Sequence, residues 1–253
     1  MEKILKEGQL AIVMPVLDCL NYTKQFLPTI RTKHPYKLII INNGSTDGTA
    51  NFLDRLGKLE DVIIIHSKEN IGCGPGWNYG IKYAIENFDS QFFFIPNNDI
   101  LLHPEAIDTL IDCVSLPGVA LASATDVAGQ VVRAPDVLTL DLPKHGILKE
   151  APDFSCFMLS RETIEEIGYF DEKFYPAYFE DNDYHYRINL AGLKGVSTNK
   201  ALYFHYGSRT VKEGKEIKKT VNLAYLANRD YYIRKWGGKP GDEAFAFSFD
   251  KQK

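Results

Sequence analysis

The sequence predicts an α/β protein built on a doubly wound, mostly parallel central sheet flanked by helices. Three observations lead there. Short apolar runs recur at 10–14 (LAIVM), 37–41 (KLIII), 62–66 (VIIIH), 92–95 (FFFI) and 119–124 (VALASA), the pattern of strands buried on both faces. Segments with helical spacing of apolar residues alternate with these runs over the first half of the chain. The first, second and fourth runs each lead into a polar loop. Parallel strands share a direction, so those loops fall on one sheet edge, where open α/β sheets bind ligands.

The elements follow in order. Strand 10–14 is expected to end at Pro15, and the loop 16–21 carries Asp18. Residues 22–33 space Tyr22, Phe26, Leu27 and Ile30 as one helical face, with Asn21 or Thr23 as N-cap. Pro28 is expected to shorten or kink that helix. Strand 37–41 runs into Asn42-Asn43-Gly44-Ser45-Thr46-Asp47-Gly48-Thr49, a turn and a helix start with Ser45 or Thr46 as cap. Strand 62–66 is followed by a glycine-bearing loop, 68–76, and a helix over 77–87. The fourth strand, 92–95, meets Pro96, which has no N–H for a ladder. Asn97, Asn98 and Asp99 follow at once. Residues 104–114 place Ile107, Leu110, Ile111 and Val114 on one helical face, and 119–124 is a fifth strand.

The second half changes character. Residues 125–150, rich in Asp, Gly and Pro, predict a surface hairpin and a long loop. Residues 154–159 (FSCFML) read as a strand. Ser160 caps a short helix, 161–167, which Gly168 ends. Residues 179–190 are expected to be helical, opening on Glu180, Asp181 and Asp183. Strand 201–204 ends in His205-Tyr206-Gly207-Ser208. Residues 211–219 are lysine-rich without apolar periodicity, and the stretch 208–219 is expected to be mobile and to close over a ligand. A helix over 221–236 turns Leu223, Leu226 and Ile233 inward, and 237–253 is an irregular tail.

Composition bounds the function. The 253 residues suffice for one large α/β domain or two small ones, and a formal charge of −4 gives no basic field to attract nucleic acid. No apolar run is long enough to span a bilayer. The N-terminal MEKILKEGQ is too polar for a signal peptide. Cys19, Cys73, Cys113 and Cys156 are scattered and form no CxxC pair, so neither zinc nor a disulfide framework is indicated. A cytoplasmic enzyme is expected, with the inner membrane face as a second location.

Particular residues point to chemistry. An acid beside two amides at a central strand tip, as in Asn97-Asn98-Asp99, suits a hard cation and a phosphorylated ligand. Asp18, Asn42, Asn43, Asp47 and Asp99 are candidates for one cleft, to which the loop after the third strand adds Asn70 and Gly72. Each Asx also serves as a turn or cap residue, and for Ser45, Thr46 and Asp47 capping is the favoured role. Three acids at a helix start, Glu180, Asp181 and Asp183, stand next to Tyr175, Tyr178 and Phe179. Aromatic faces beside carboxylates are how proteins hold sugars, although the helix dipole alone explains one or two acids. His205, at a strand end before Gly and Ser, is set as a ligand. No GxGxxG or GxxxxGK[ST] order occurs, which disfavours a dehydrogenase or a P-loop enzyme.

Five blocks resemble the family 2 glycosyltransferases, which invert the anomeric centre. They are IVMPVLD from Ile12, INNGSTDGT from Ile41, ENIGCGPGWNYG from Glu69, PNNDILL from Pro96, and FEDNDYHYR from Phe179 with FHYGS from Phe204. They keep the family's order and span roughly residues 10–208, closest to the rhamnosyltransferase-like branch. The resemblance implies a GT-A fold, a Rossmann-like sheet with a smaller acceptor-side region. It implies a single domain over 1–236, with a nucleotide-binding half at about 10–124 and an acceptor and catalytic half at about 125–236.

It also implies roles. Asp18, Asn42 and Asn70 would line the nucleotide pocket, and Pro15, Leu17, Asn43, Gly72, Asn78, Asn97 and Asn98 belong to the same nucleotide-sugar side. Asp99 matches the last acid of the family's DxD motif, and His205 the histidine that completes its Mn²⁺ or Mg²⁺ site. Asp181 matches the general base, with Glu180 as competitor, while Tyr178, Phe179 and Asp183 face the acceptor. The partners implied are a UDP-, dTDP- or GDP-linked sugar and a glycan, lipid-linked or other hydroxyl acceptor. Two departures stand out: Asn42 replaces a common Asp, and Asn97 replaces the first acid of DxD. A nucleotidyltransferase is the alternative, but 15–18 lacks its Gly- and basic-rich loop. A non-catalytic sugar- or nucleotide-binding module is the other, and the joint presence of Asp99, Asp181 and His205 argues against it.

Overall fold

A computed structural model of the chain describes residues 4–207 and 215–248. Its strands are β1 (Leu10–Val16), β2 (Tyr36–Asn43), β3 (Val62–Ser67), β4 (Phe92–Pro96), β5 (Ile100–Leu102), β6 (Val119–Asp126), β7 (Leu148–Lys149), β8 (Cys156–Ser160) and β9 (Lys194–His205). Its helices are α1 (Leu20–Phe26), α2 (Thr49–Leu56), α3 (Cys73–Phe88), α4 (Ala106–Val114), α5 (Arg161–Ile167), α6 (Glu180–Leu190) and α7 (Lys215–Trp236). One sheet joins the strands in the order β3-β2-β1-β4-β8-β6-β9-β5, with β7 added on β9.

The first four strands of that order are parallel. β8 is antiparallel to both β4 and β6, so β6 points the same way as β1. β9 runs parallel to β6, and β5 returns antiparallel along its end. The C-terminal ends of β1, β2, β4 and β9 therefore share an edge with the N-terminal ends of β5 and β8. Strand alternation divides the core in two. Leu10, Ile12, Met14, Ile40 and Phe94 face one cluster that includes α4 residues, and Ala11, Val13, Ile39, Ile41 and Phe93 face another that includes α3 and α6 residues. Both faces are apolar because helices cover both.

Two prolines mark where the sheet opens. β1 and β4 pair only over Leu10–Phe92 to Ile12–Phe94. Beyond Ile12 the strands part, and Pro15 and Pro96 lie in that gap, where a missing N–H costs no ladder bond. β4 ends at Pro96 as expected, whereas Pro15 does not end β1, which runs on to Val16. Pro15 stays in register with Ile41, and Pro96 with Cys156.

Other elements also differ from the sequence reading. α1 starts at Leu20 behind Cys19, a left-handed residue, with no side-chain cap from Asn21 or Thr23, and it gives way at Pro28 to a 3-10 turn over Leu27–Thr29. Ser45 and Thr46 do not cap α2, whose N-cap is Gly48. Asp47 instead accepts the Thr49 N–H at 3.1 Å. α3 begins at Cys73, not 77, because its glycines serve packing: a Cβ on Gly80 would lie 2.2 Å from Val13 Cγ1, and one on Gly76 2.9 Å from Pro15 Cγ. No hairpin forms over 125–150. A 3-10 turn at Ala134–Thr139 and the two-residue β7 take its place, and β7 pairs with the distant β9. β5, and the part of β9 before 201, are strands that no apolar run of ordinary strand length in the sequence marks.

The cap of α5 is as expected, with Ser160 accepting from the Thr163 N–H and Gly168 closing the helix at φ 86°. α7 faces the other way from its expected register. Val221, Asn228, Tyr232, Lys235 and Trp236 are buried, whereas Leu223 and Leu226 are 66% and 51% exposed. Its inward side meets Phe174 and Phe179 rather than an aliphatic core. The expected mobile stretch, 208–219, lies mostly outside the described residues.

Candidate active site

The shared strand edge frames a cavity of about 300 Å³. Its walls come from the tip of β1 (Pro15, Val16, Leu17), the end of β2 (Asn43), the loop before α3 (Asn70), the start of α3 (Cys73, Trp77) and the β4–β5 turn (Asn97, Asn98, Asp99). The loop before β8 (Asp153, Phe154, Ser155), the loop before α6 (Pro176, Ala177, Tyr178), the start of α6 (Glu180, Asp181), His205 and Val221 complete it.

Asp99 and His205 meet because Ile100, at the start of β5, pairs with His205, at the end of β9. His205 Nε2 lies 3.2 Å from Asp99 Oδ1. Burial works against a charged imidazole, but Asp99, with Asp126 and Asp153 farther off, outweighs it and holds His205 above the ordinary histidine range. Among the described residues no group of three His, Cys, Asp or Glu side chains is set to hold a metal ion. The pair offers one hard oxygen and one nitrogen. That suits Mn²⁺ or Mg²⁺ when diphosphate oxygens and water fill the other positions.

α6 begins in a strained turn. Tyr178 and Phe179 have φ of 78° and 74°, a conformation that costs about 1–3 kcal/mol per residue outside glycine. Asn228 of α7 holds that turn, its Nδ2 donating to the carbonyls of Ala177 (2.9 Å) and Tyr178 (3.1 Å). The result brings Glu180 and Asp181 to the cavity together. Burial raises Asp181, against the bonds it accepts from the N–H groups of Asn182, Asp181 and Phe179, and the charge of Asp153 adds to the rise. Burial first, and Asp181 second, push Glu180 up to about 8.

The nucleotide-side residues divide. Asn43 donates to Asn70 Oδ1 at 2.9 Å and to the Gly72 carbonyl at 3.2 Å, fixing the loop before α3 as cavity floor. Asp18 lies outside the cavity lining and accepts the N–H groups of Thr46 (2.6 Å) and Asp47 (3.2 Å), tying two loops together. Asn42 likewise bonds His66 and the Ser45 N–H. Asn98 reaches the cavity while donating to Thr23 Oγ1 at 2.9 Å.

Asn78, Asp183 and Phe179, like Asp18, Asn42 and Gly72, are absent from the cavity lining. Asn78 is buried and bonds both the N–H and the carbonyl of Phe170, each at 2.9 Å, so it braces α3 against the 170 loop. Asp183 is fully buried and receives Trp236 Nε1 (2.8 Å), Lys235 Nζ (2.6 Å) and Arg187 Nε (3.0 Å). It stands about 200° round the helix from Asp181, on the side that faces α7. Phe179 packs on Tyr225 and Tyr232.

Asp153 was not foreseen. It accepts the Tyr203 hydroxyl at 2.6 Å and the Ser155 N–H at 2.8 Å while lining the cavity. Only the antiparallel course of β8 brings it to this edge, and nothing local in its Pro- and Asp-rich loop signals that.

The sequence profile of Glycosyl transferase family 2 matches residues 11–168, well over half of the chain. The chain belongs to that family. A galactofuranosyl glycosyltransferase of Leishmania donovani is 26% identical over 88% of this chain and 61% of its own length, so the chain spans about six-tenths of that relative. An N-acetylglucosaminyl-diphospho-decaprenol L-rhamnosyltransferase of Mycobacterium tuberculosis is 24% identical over 70% of this chain and 69% of its own. Among solved structures, a Pyrobaculum calidifontis mannosyltransferase in complex with GDP-Man and Mn²⁺ superposes with a TM-score of 0.61 at 14% identity, covering 90% of this chain and 74% of that one. GalNAc-T7 with UDP, GalNAc and Mn²⁺ gives 0.64 at 14% identity, over 90% and 50% of the two chains. The fold of this family member is thus the GT-A fold, as expected.

Proposed function

We propose that this chain, as a single domain over 1–236, transfers a sugar from a nucleoside diphosphate to an acceptor hydroxyl with inversion at the anomeric carbon. The observation that carries the reading is one cavity with the Asp99–His205 pair on one wall and Asp181 on another. The nucleotide lies over the β1 tip, Asn43 and Asn70, with its diphosphate toward Asp99. Asp99 and His205 would hold a Mn²⁺ or Mg²⁺ ion, which supplies charge neutralisation for the departing diphosphate.

Asp181 accepts the proton of the acceptor hydroxyl as that oxygen bonds the anomeric carbon. The bond from that carbon to the β-phosphate oxygen breaks, and the nucleoside diphosphate leaves with the electron pair. No covalent enzyme intermediate is required. A carboxylate held above its ordinary range by burial is a better base than an exposed one.

The acceptor side opens at Tyr178, Tyr225 and the exposed Leu223 and Leu226 of α7. Apolar side chains there, following a lysine-rich stretch in the sequence, favour a lipid-linked acceptor presented at a membrane surface. No helix among the described residues is long and apolar enough to cross a membrane. The reading is tested by screening UDP-, GDP- and dTDP-sugars with Mn²⁺ for thermal stabilisation, then assaying transfer from the best one to polyprenyl-diphosphate sugars. No stabilisation by any member, with or without metal, sinks it.

A further inference from the structure

Glu180 presents a buried polar atom that the fold leaves unused. Its side chain belongs to the cavity wall, and the residue is 5% exposed. Oε2 is the one buried side-chain nitrogen or oxygen among the described residues that has no hydrogen-bond partner. Such an atom costs the free protein stability. A cavity-facing position allows a bound ligand to supply the partner.

The neighbours indicate which ligand. A Cβ on Gly74 would touch the Glu180 Cβ at 3.8 Å, so the side chain packs against the first turn of α3. That turn follows directly on the loop that carries Asn70, the floor on which the nucleotide lies in the proposed complex. Asp181, by contrast, senses Asp153 in the loop before β8. Adjacent helical residues point about 100° apart, so the two acids address different parts of the ligand.

We propose that Glu180 recognises the transferred sugar, Oε2 forming a hydrogen bond with one hydroxyl of the donor's glycosyl unit. This rests on the glycosyltransferase reading above. The acid is protonated when it binds, so it donates to the sugar oxygen, while Asp181 beside it stays free to act as base. The groups facing it agree with a neutral acid. Asp181 lies on its own helix, Asp153 on the β8 loop, Cys73 on α3 and Tyr178 on the preceding loop, and His205 is the one cationic group in the wall, already paired with Asp99.

The experiment compares binding of a nucleotide sugar with binding of its own nucleoside diphosphate, by calorimetry with Mn²⁺, in the full chain. The probe is whichever of the UDP-, GDP- or dTDP-sugars binds best. Glu180→Leu is expected to leave the nucleoside diphosphate affinity unchanged and to weaken the nucleotide sugar about tenfold. Glu180→Gln, whose amide still donates, is expected to stay within about threefold of the parent. One monodeoxy donor analogue should lose the same tenfold against the parent and nothing further against Glu180→Leu. Equal losses for both ligands, no loss for either, or a Gln variant as weak as Leu overturns the proposal and leaves the glycosyltransferase reading standing. If the parent binds no nucleotide at all, that reading fails and this one with it. Both variants remove an unpartnered buried acid, so a melting temperature at or above the parent's confirms that they fold.

Discussion

His205 Nε2 lies 3.2 Å from Asp99 Oδ1, although 106 positions separate them in the chain. The contact is made by the sheet: β5 turns back along β9, and the pairing of Ile100 with His205 leaves Asp99 and the imidazole side by side. The geometry predicts a shared role. Asp99→Ala is expected to lower sugar transfer by about 10³-fold or more, since a metal ion at the leaving diphosphate is worth several kcal/mol in the transition state. Its melting temperature without ligand should stay near the parent's. The check is nucleoside diphosphate release with and without EDTA, and a variant or a chelated parent that turns over normally excludes the metal role.

Asp181→Asn keeps the shape of the side chain and removes its basicity. Nucleotide-sugar binding should persist while transfer falls by roughly 10²–10⁴-fold. The product anomer, read by NMR, should be inverted relative to the donor. A retained anomer is incompatible with a single displacement assisted by Asp181.

Much of this was legible in the sequence because it lay in local pattern. Two-faced apolar runs gave β1 to β4, and polar loops at their ends gave Asn43, Asn70 and Asp99 a common edge. The acids of α6 announced themselves beside tyrosines. What stayed hidden depends on non-local geometry. Asn78 and Asp183 match the motif blocks, yet their partners, Phe170 and Trp236, are 92 and 53 residues away, and those contacts decide that they brace the site. Asp153 enters only through the antiparallel β8. α7 misled because its outward face carries leucines while its inward face carries Asn228 and Lys235, the reverse of ordinary patterning.

Asn228 is expected to position the catalytic turn. Replacing it by Ala leaves two carbonyls without their donor and frees a backbone that Tyr178 and Phe179 hold at positive φ. The expected cost is about 1–3 kcal/mol of stability, with a lower kcat and a nearly unchanged nucleoside diphosphate affinity. Denaturant melts and the split between kcat and binding test this. A fall in nucleotide affinity equal to the fall in kcat places Asn228 elsewhere in the mechanism.

α7 supplies a separate prediction about location. Leu223→Gln with Leu226→Gln is expected to reduce cosedimentation with vesicles containing anionic lipid several-fold, at about 1–2 kcal/mol per desolvated leucine, and to leave transfer to a short soluble acceptor unchanged. Undiminished vesicle binding would show that these leucines do not touch the membrane.

The acid pair makes stability depend on pH with a definite sign. Glu180 has an ordinary value of 4.5 and is pushed up to about 8 in the fold, by burial first and by Asp181 second. Below the ordinary range both folded and unfolded chains hold the proton, and the group adds no slope. As pH rises from about 4.5 to about 8, the unfolded chain releases that proton while the folded one keeps it, so stability falls. Above about 8 both are ionised and the loss is complete. Asp181 is shifted in the same direction and adds to the slope. Glu180→Gln cannot titrate at this position. Its melting temperature relative to the parent's should therefore climb across that window and level off beyond it. A difference that is constant from pH 5 to 9 means that Glu180 is already ionised in the free protein, and that its burial is relieved by solvent reaching Oε2.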